Sequence, residues 1–160
     1  QVLSILQRLA PKLTARVEVR RQFASFLEIF LHSNDGEILK CDFAQDSPFR
    51  HQAKVHDNAT GVFVDNALDI ACNKLSALFD RSAMKDFVDV YFIDKELFSF
   101  AHILQKAREK HVGIDDYWLA ISLRKVQELD VFPRMVKTLD IHELRDFFLG
   151  HARRLMQSNA

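Results

Sequence analysis

The chain has little that breaks helices: four Gly and three Pro in 160 residues, against fourteen Phe. That balance points to a helix-rich interior packed with phenylalanine. Cysteine is also scarce. Cys41 and Cys72 form no CxxC, and no Cys/His cluster has zinc spacing, so a disulfide framework and a zinc module are both excluded. The two are read as reduced, buried thiols of a cytoplasmic protein. Net charge is absent too: 22 Lys and Arg balance 22 Asp and Glu, so bulk attraction to nucleic acid or membrane is not indicated. No apolar run reaches the roughly 18 residues of a membrane span, and no signal peptide is read. The chain opens on Gln1, and the expectation is that residues precede it in the parent protein.

What is present is ordinary globular material, 48% hydrophobic and 28% charged, enough for one domain or a domain with an appendage. Val2, Ile5, Leu6, Leu9 and Leu13 have helical spacing, with Pro11 ending or kinking the helix. Residues 17–22 read as a short strand. Two apolar runs around Asn34-Asp35-Gly36 read as a hairpin. The stretch 46–60 reads as a loop with at most one strand, and 61–64 as a brief strand. From Asp65 onward the pattern is helical. Asp65 or Asn66 caps a first helix to about 80, and Ser82 a second to about 94. A third runs from about 97 to 111. Asp115 or Asp116 opens a fourth, and Asp140 caps the last, to about 156. The predicted fold is α+β, a small antiparallel β region followed by a bundle of about five helices, dividing into 1–64 and 65–160.

Candidate chemistry begins in the hairpin. Ile38, Lys40 and Asp42 share one strand face, and Leu39, Cys41 and Phe43 the other. Lys40 and Asp42 are either a solvated polar face or part of a site in which Asp42 helps hold a divalent cation bridging nucleotide phosphates. The turn decides whether a second carboxylate joins. A three-residue loop puts Glu28 opposite Asp42; a two-residue Asp-Gly loop moves Glu28 to the other face.

A second cluster lies in the helices. Lys74, Ala77, Leu78 and Arg81 form one stripe, while Ser82, Asp86 and Asp89 share a face of the next helix. Arg81 can meet Asp86 or Asp89 and fix the corner between them. Lys74 has no partner on its own helix. It either snorkels to water or points into a cleft and binds phosphate.

The stretch KLSALFDRSAMKDFVDVYF resembles the motif KLxAxxxRxxxRDxxD of the AbiEii/AbiGii toxin-type nucleotidyltransferases, here Lys74-Leu75, Ala77, Arg81, Lys85-Asp86 and Asp89. Lys85 stands where the family usually has Arg, keeping the charge but losing the fork. LKCDF resembles the family's LKxD strand, with Lys40 and Asp42 in the matching places. The likeness covers roughly 24–95. It implies a nucleotidyltransferase-like fold, of which the β region would be the remainder of the sheet. It also implies transfer of a nucleotidyl group from an NTP with Mg2+ or Mn2+. Some members are toxins of toxin–antitoxin systems, and transfer to RNA is known among them, so the implied partners are an NTP, an RNA acceptor and a cognate antitoxin. Carried over, Asp42 would be a metal carboxylate, and Asp42, Lys74 and Asp86 catalytic. Lys40, Lys74 and Arg81 would face the nucleotide, and Arg81, Lys85 and Asp89 would shape the helix corner.

The family's Gly-Ser or Gly-Gly-Thr turn and its Asp-x-Asp pair are absent from these residues. Two-metal phosphoryl chemistry needs those carboxylates. The chain alone is therefore expected to be inactive: either the motif lies upstream of Gln1, the reading preferred here, or this is a degenerate relative serving as an interaction module. A nucleic-acid-binding module is weakened by the zero net charge. His51, His56 and Asp57 read as solvated loop residues, the basic runs 106–111 and 151–156 as solvated helix faces, and Trp118 beside Tyr117 as core.

Overall fold

A computed structural model describes residues 2–45 and 47–157; Asp46, in the expected loop, lies outside them. The fold is α+β. It divides into two compact units, Gln1–Pro48 and Phe49–Ala160.

In the first unit, helix α1 (Val2–Leu9) passes into a 3-10 turn, Ala10–Leu13, at the proline that cannot donate to an α-helix. A three-stranded antiparallel sheet follows, β1 (Ala15–Phe23), β2 (Phe26–Ser33) and β3 (Ile38–Ala44), with β2 in the middle. The hairpin closes by Ser33 N–H donating to Glu37 O at 2.9 Å and Gly36 N–H to Ser33 O at 3.2 Å. The loop is thus Asn34-Asp35-Gly36, with Gly36 at φ 90, where a side chain is strained. Register follows from this loop: Glu28 pairs with Asp42 and Phe30 with Lys40. On β1 the register shifts between Val19, opposite Ile29, and Arg21, opposite Glu28. The bulged Arg20 is what brings Arg21, rather than Arg20, to Glu28.

The second unit opens with a hairpin of β4 (Val55–Asp57) and β5 (Val62–Val64). The helices are α2 (Ala67–Arg81), α3 (Met84–Glu96), α4 (Phe100–Lys110), α5 (Asp116–Arg124, extended by a 3-10 turn, Lys125–Glu128) and α6 (Ile141–Gln157). Asn66, Ser99 and Asp115 accept N–H groups of the first turns they precede. Asp140 does the same for His142 and Glu143. Leu75, Leu78, Phe87, Ile103, Leu119, Leu123, Leu144 and Phe148 are fully buried, and the Phe87 and Phe148 rings meet edge to face at 4.9 Å. No helix among the described residues is long and apolar enough to cross a membrane.

Two expectations differ from this. Ser82 ends α2 instead of opening α3. It sits in the left-handed region at φ 50, and its N–H and hydroxyl both donate to Leu78 O, at 3.0 Å each. Ala83 then takes the N-cap position without a side-chain bond. The corner is too tight for a capping serine in extended backbone. The unit boundary falls at 48/49, not 64/65, because residues 50–52 are tied to the helices. Arg50 Nε donates to Asp65 at 2.7 Å, the N–H groups of His51 and Gln52 reach Asp69, and the His51 ring meets Lys106 O at 2.9 Å.

Candidate functional site

On β2, Leu27 and Ile29 are buried apolar residues, and the alternate positions Glu28, Phe30 and His32 form the other face. Across from Glu28 stand Arg21 on β1 and Asp42 on β3. Glu28 is buried and accepts from Arg21 Nη2 at 2.7 Å and Lys40 Nζ at 3.0 Å. These two hydrogen bonds, Arg21 first, hold its carboxyl below the ordinary value of 4.5. The same bonds raise Arg21 and Lys40. Lys40 also stands 3.4 Å from Asp42, and both are about half exposed. The result is one buried acid between two half-exposed cations, with a second acid at the edge. Further along the face, Glu18 meets His32 at 2.7 Å and Arg20 at 3.0 Å, while Arg20 lies over the Phe30 ring at 5.2 Å.

The loop geometry answers the question left by the sequence: the three-residue turn puts two carboxylates on one face. Arg21 and Lys40 both bond Oε2 of Glu28, and Lys40 faces Oδ2 of Asp42, so the half-exposed Asp42 presents its other oxygen, Oδ1, at the edge of the sheet face. A magnesium ion uses one or two protein carboxylates beside phosphate oxygens and water. Asp42 fits as one such ligand. No group of three or more His, Cys, Asp or Glu residues among the described residues could hold a metal ion, so this donor set does not make a two-metal centre by itself.

In the helical unit, Arg81 grips Asp86 with a two-pronged fork, Nε to Oδ2 at 2.7 Å and Nη2 to Oδ1 at 2.6 Å. Asp86 is completely buried, and its hydrogen bond raises the Arg81 pKa. Of the two acids that spacing offered Arg81, the corner uses Asp86. Asp89 instead accepts from Lys74 Nζ at 2.6 Å, across from α2 to α3. That pairing was contained in neither reading of Lys74, because its partner lies fifteen residues on, outside its own helix. Lys85 and Asp89, expected at the corner, take no part in the Arg81 fork. Lys85 is exposed and makes no ion pair among the described residues.

Sequence reasoning missed the most buried charge pair. Asp69 and Lys110, both with fully buried side chains, meet at 3.0 Å. Asp69 also accepts from Asn66 Nδ2 at 2.5 Å and from the N–H groups of His51 and Gln52. Burial acts to raise its carboxyl, but the bonds from Asn66, Lys110, His51 and Gln52 together hold it well below 3.8. Within the basic run 106–111, Lys110 is used internally, while Arg108 and Glu109 stay on the exposed face that was expected. Lys110 pairs with Asp69, Lys106 with Glu109 at 2.8 Å, and Arg108 with Asp116. His51 is likewise held, not solvated. Asp57 accepts from the N–H groups of Ala59 and Thr60. Trp118 is 60% exposed, not core, with Tyr117 edge to face at 5.2 Å.

No protein-family model and no curated protein matches the chain. Among solved structures, JHP933 from Helicobacter pylori is similar at a TM-score of 0.45 and 16% identity, over 89% of this chain and 64% of its own. The chain thus spans less than two thirds of that protein's length.

Proposed function

We propose that the chain is the C-terminal portion of a metal-dependent nucleotidyltransferase of the AbiEii/AbiGii toxin type, transferring a nucleotidyl group from an NTP. The observation that carries this reading is the register of β2 on β3, which sets Asp42 directly opposite Glu28 with Lys40 beside both. Asp42 would supply one oxygen to a magnesium ion that bridges phosphates when bound. Lys40 is oriented by Glu28, and its half-exposed ammonium would neutralise phosphate charge. Within the helical unit, Lys74 on α2 is the phosphate-facing lysine that the family resemblance implies, oriented by Asp89, with the Arg81–Asp86 fork fixing the turn that follows its helix. The Asp-x-Asp carboxylates must come from outside these 160 residues. An RNA acceptor and a cognate antitoxin belong to this reading.

A non-catalytic interaction module is the second reading. It is favoured by the mutual satisfaction of the charges: Lys74 by Asp89, Asp86 by Arg81, Glu28 by Arg21 and Lys40. The test is calorimetric titration of the natural gene product carrying this chain with each of the four NTPs, with and without magnesium. The enzyme reading expects magnesium-dependent binding that Asp42→Asn and Lys74→Ala each weaken while circular dichroism stays unchanged. Absence of binding for all four, or binding indifferent to both substitutions, supports the module instead.

A further inference from the structure

Most charges in the helical unit face a partner, but two beside one groove do not. Residues 85, 88, 89 and 92 share a face of α3, at spacings of three, four and seven. The segment 133–137 runs alongside and completes a groove of about 460 Å³. Val88, Phe92 and Met135 give it an apolar floor, and Lys85, Arg134 and Lys137 its cationic rim. Asp89, also on the rim, is neutralised by Lys74, and Lys137 is neutralised by Glu96 at 2.5 Å. Lys85 and Arg134 are exposed and make no ion pair among the described residues. The rim therefore keeps two uncompensated positive charges over an apolar strip. Val136, beside the strip, is fully exposed.

The chemistry of an occupant follows. The side chains of Val88, Phe92 and Met135 offer no polar group to orient a small molecule, as well-formed ligand sites do. On α3 the strip runs from Val88 to Phe92, about one turn or 6 Å, with Met135 beside it, room for the apolar side chains of a short amphipathic segment. Unpaired cations at its edge select carboxylates on that segment and disfavour basic ones. We propose that this groove docks an acidic amphipathic segment of a partner protein, apolar side chains on Val88, Phe92 and Met135 and carboxylates on Lys85 and Arg134. The inference does not depend on nucleotidyl transfer.

A phage-displayed library of random peptides, selected on the purified chain, tests it. Enriched peptides are expected to combine Asp or Glu with large apolar residues and to lose affinity as salt rises. They are expected to bind the doubly reversed chain, Lys85→Glu with Arg134→Glu, at least tenfold more weakly. Both substitutions are at exposed positions, and Val136→Asp, at a fully exposed one, is a second variant expected to weaken binding. Circular dichroism and the urea midpoint verify each fold. Failure to enrich peptides, enrichment of sequences without acids, unchanged affinity in both variants, or displacement of the peptides by free nucleotide would each overturn the proposal.

Discussion

Lys74 Nζ and Asp89 Oδ2 stand 2.6 Å apart across the α2–α3 corner, each side chain a little over one third exposed. A few residues away, Arg81 and Asp86 make a pair of the same formal kind with a different environment, because Asp86 has no exposure at all. The difference separates a replaceable bridge from a structural one. An exposed pair is screened by water and contributes about 0–1 kcal/mol. Removing one member of a pair whose other member is buried leaves an uncompensated charge and costs about 3–5 kcal/mol.

Lys74→Ala is therefore expected to lower unfolding free energy by less than about 1 kcal/mol, and Arg81→Ala by about 3 kcal/mol or more. Urea denaturation of the two variants beside the wild type measures both. Equal losses would mean that the burial of Asp86 does not set the energetics of this corner. The small expected effect of Lys74→Ala is also what makes it usable as a probe of nucleotide binding.

The Asp69–Lys110 pair yields a second contrast. Lys110→Met keeps side-chain bulk but leaves Asp69 buried with only Asn66 and two backbone N–H groups as partners. The expected loss is about 3–5 kcal/mol. Asp69→Ala additionally frees the backbone of His51 and Gln52, so limited proteolysis is expected to cut that variant within 49–52 much faster than the wild type. Unchanged cleavage there would show that Asp69 does not anchor the segment.

The parts of this fold that were legible in the sequence are those whose cause is local. Asn66, Asp115 and Asp140 cap helices with bonds reaching two or three residues, and Pro11 ends α1 by chemistry within one turn. The hairpin was legible as a hairpin, but its register turned on one residue of loop, which the Asn-Asp-Gly sequence leaves open. The Asp69–Lys110 bond spans 41 residues. Read locally, Asp69 is one more acid in a first turn and Lys110 one more base in a last turn. Trp118 failed in the opposite direction: read as core beside Tyr117, it follows directly on the Asp115 cap, where α5 presents it to solvent. Within the candidate site, spacing placed Arg81 near Asp86 and Asp89, but the choice between them depends on which carboxylate the corner buries.

Acid stability should carry two signatures. Burial, and after it the charge of Arg154, pushes His151 from 6.5 down to about 4; its ring stacks on Phe100 at 4.0 Å. A histidine depressed in the folded state lets the unfolded chain bind more protons, so stability falls as pH drops from 6.5 towards about 4. Asp69 is also depressed, and its contribution is intact above the ordinary carboxylate value of 3.8 and lost as pH falls below it. His151→Phe is expected to flatten the upper part of the profile and leave the lower part unchanged. Urea midpoints measured across the range would reveal this. An identical upper slope in the variant would remove His151 as its cause.

The register that sets Glu28 opposite Asp42 depends on the turn at Gly36, and a pair of glycines isolates that dependence. Gly36 has φ 90, while Gly113 lies outside the left-handed region, and a β-carbon would meet nothing within 4 Å at either place. Any cost of alanine at these sites is therefore backbone strain rather than collision. Gly36→Ala is expected to cost about 1–2 kcal/mol, the price of left-handed backbone in an L-residue. Gly113→Ala should be neutral or stabilise by up to about 1 kcal/mol, because it restricts only the unfolded chain. Urea denaturation compares them directly. A neutral Gly36→Ala would mean that the loop relaxes out of the left-handed conformation. Because a slip of one residue reverses every side chain on β3, the expected companion of such relaxation is a weaker Glu28–Lys40 contact, visible as a rise in the Glu28 carboxyl towards 4.5 by NMR titration.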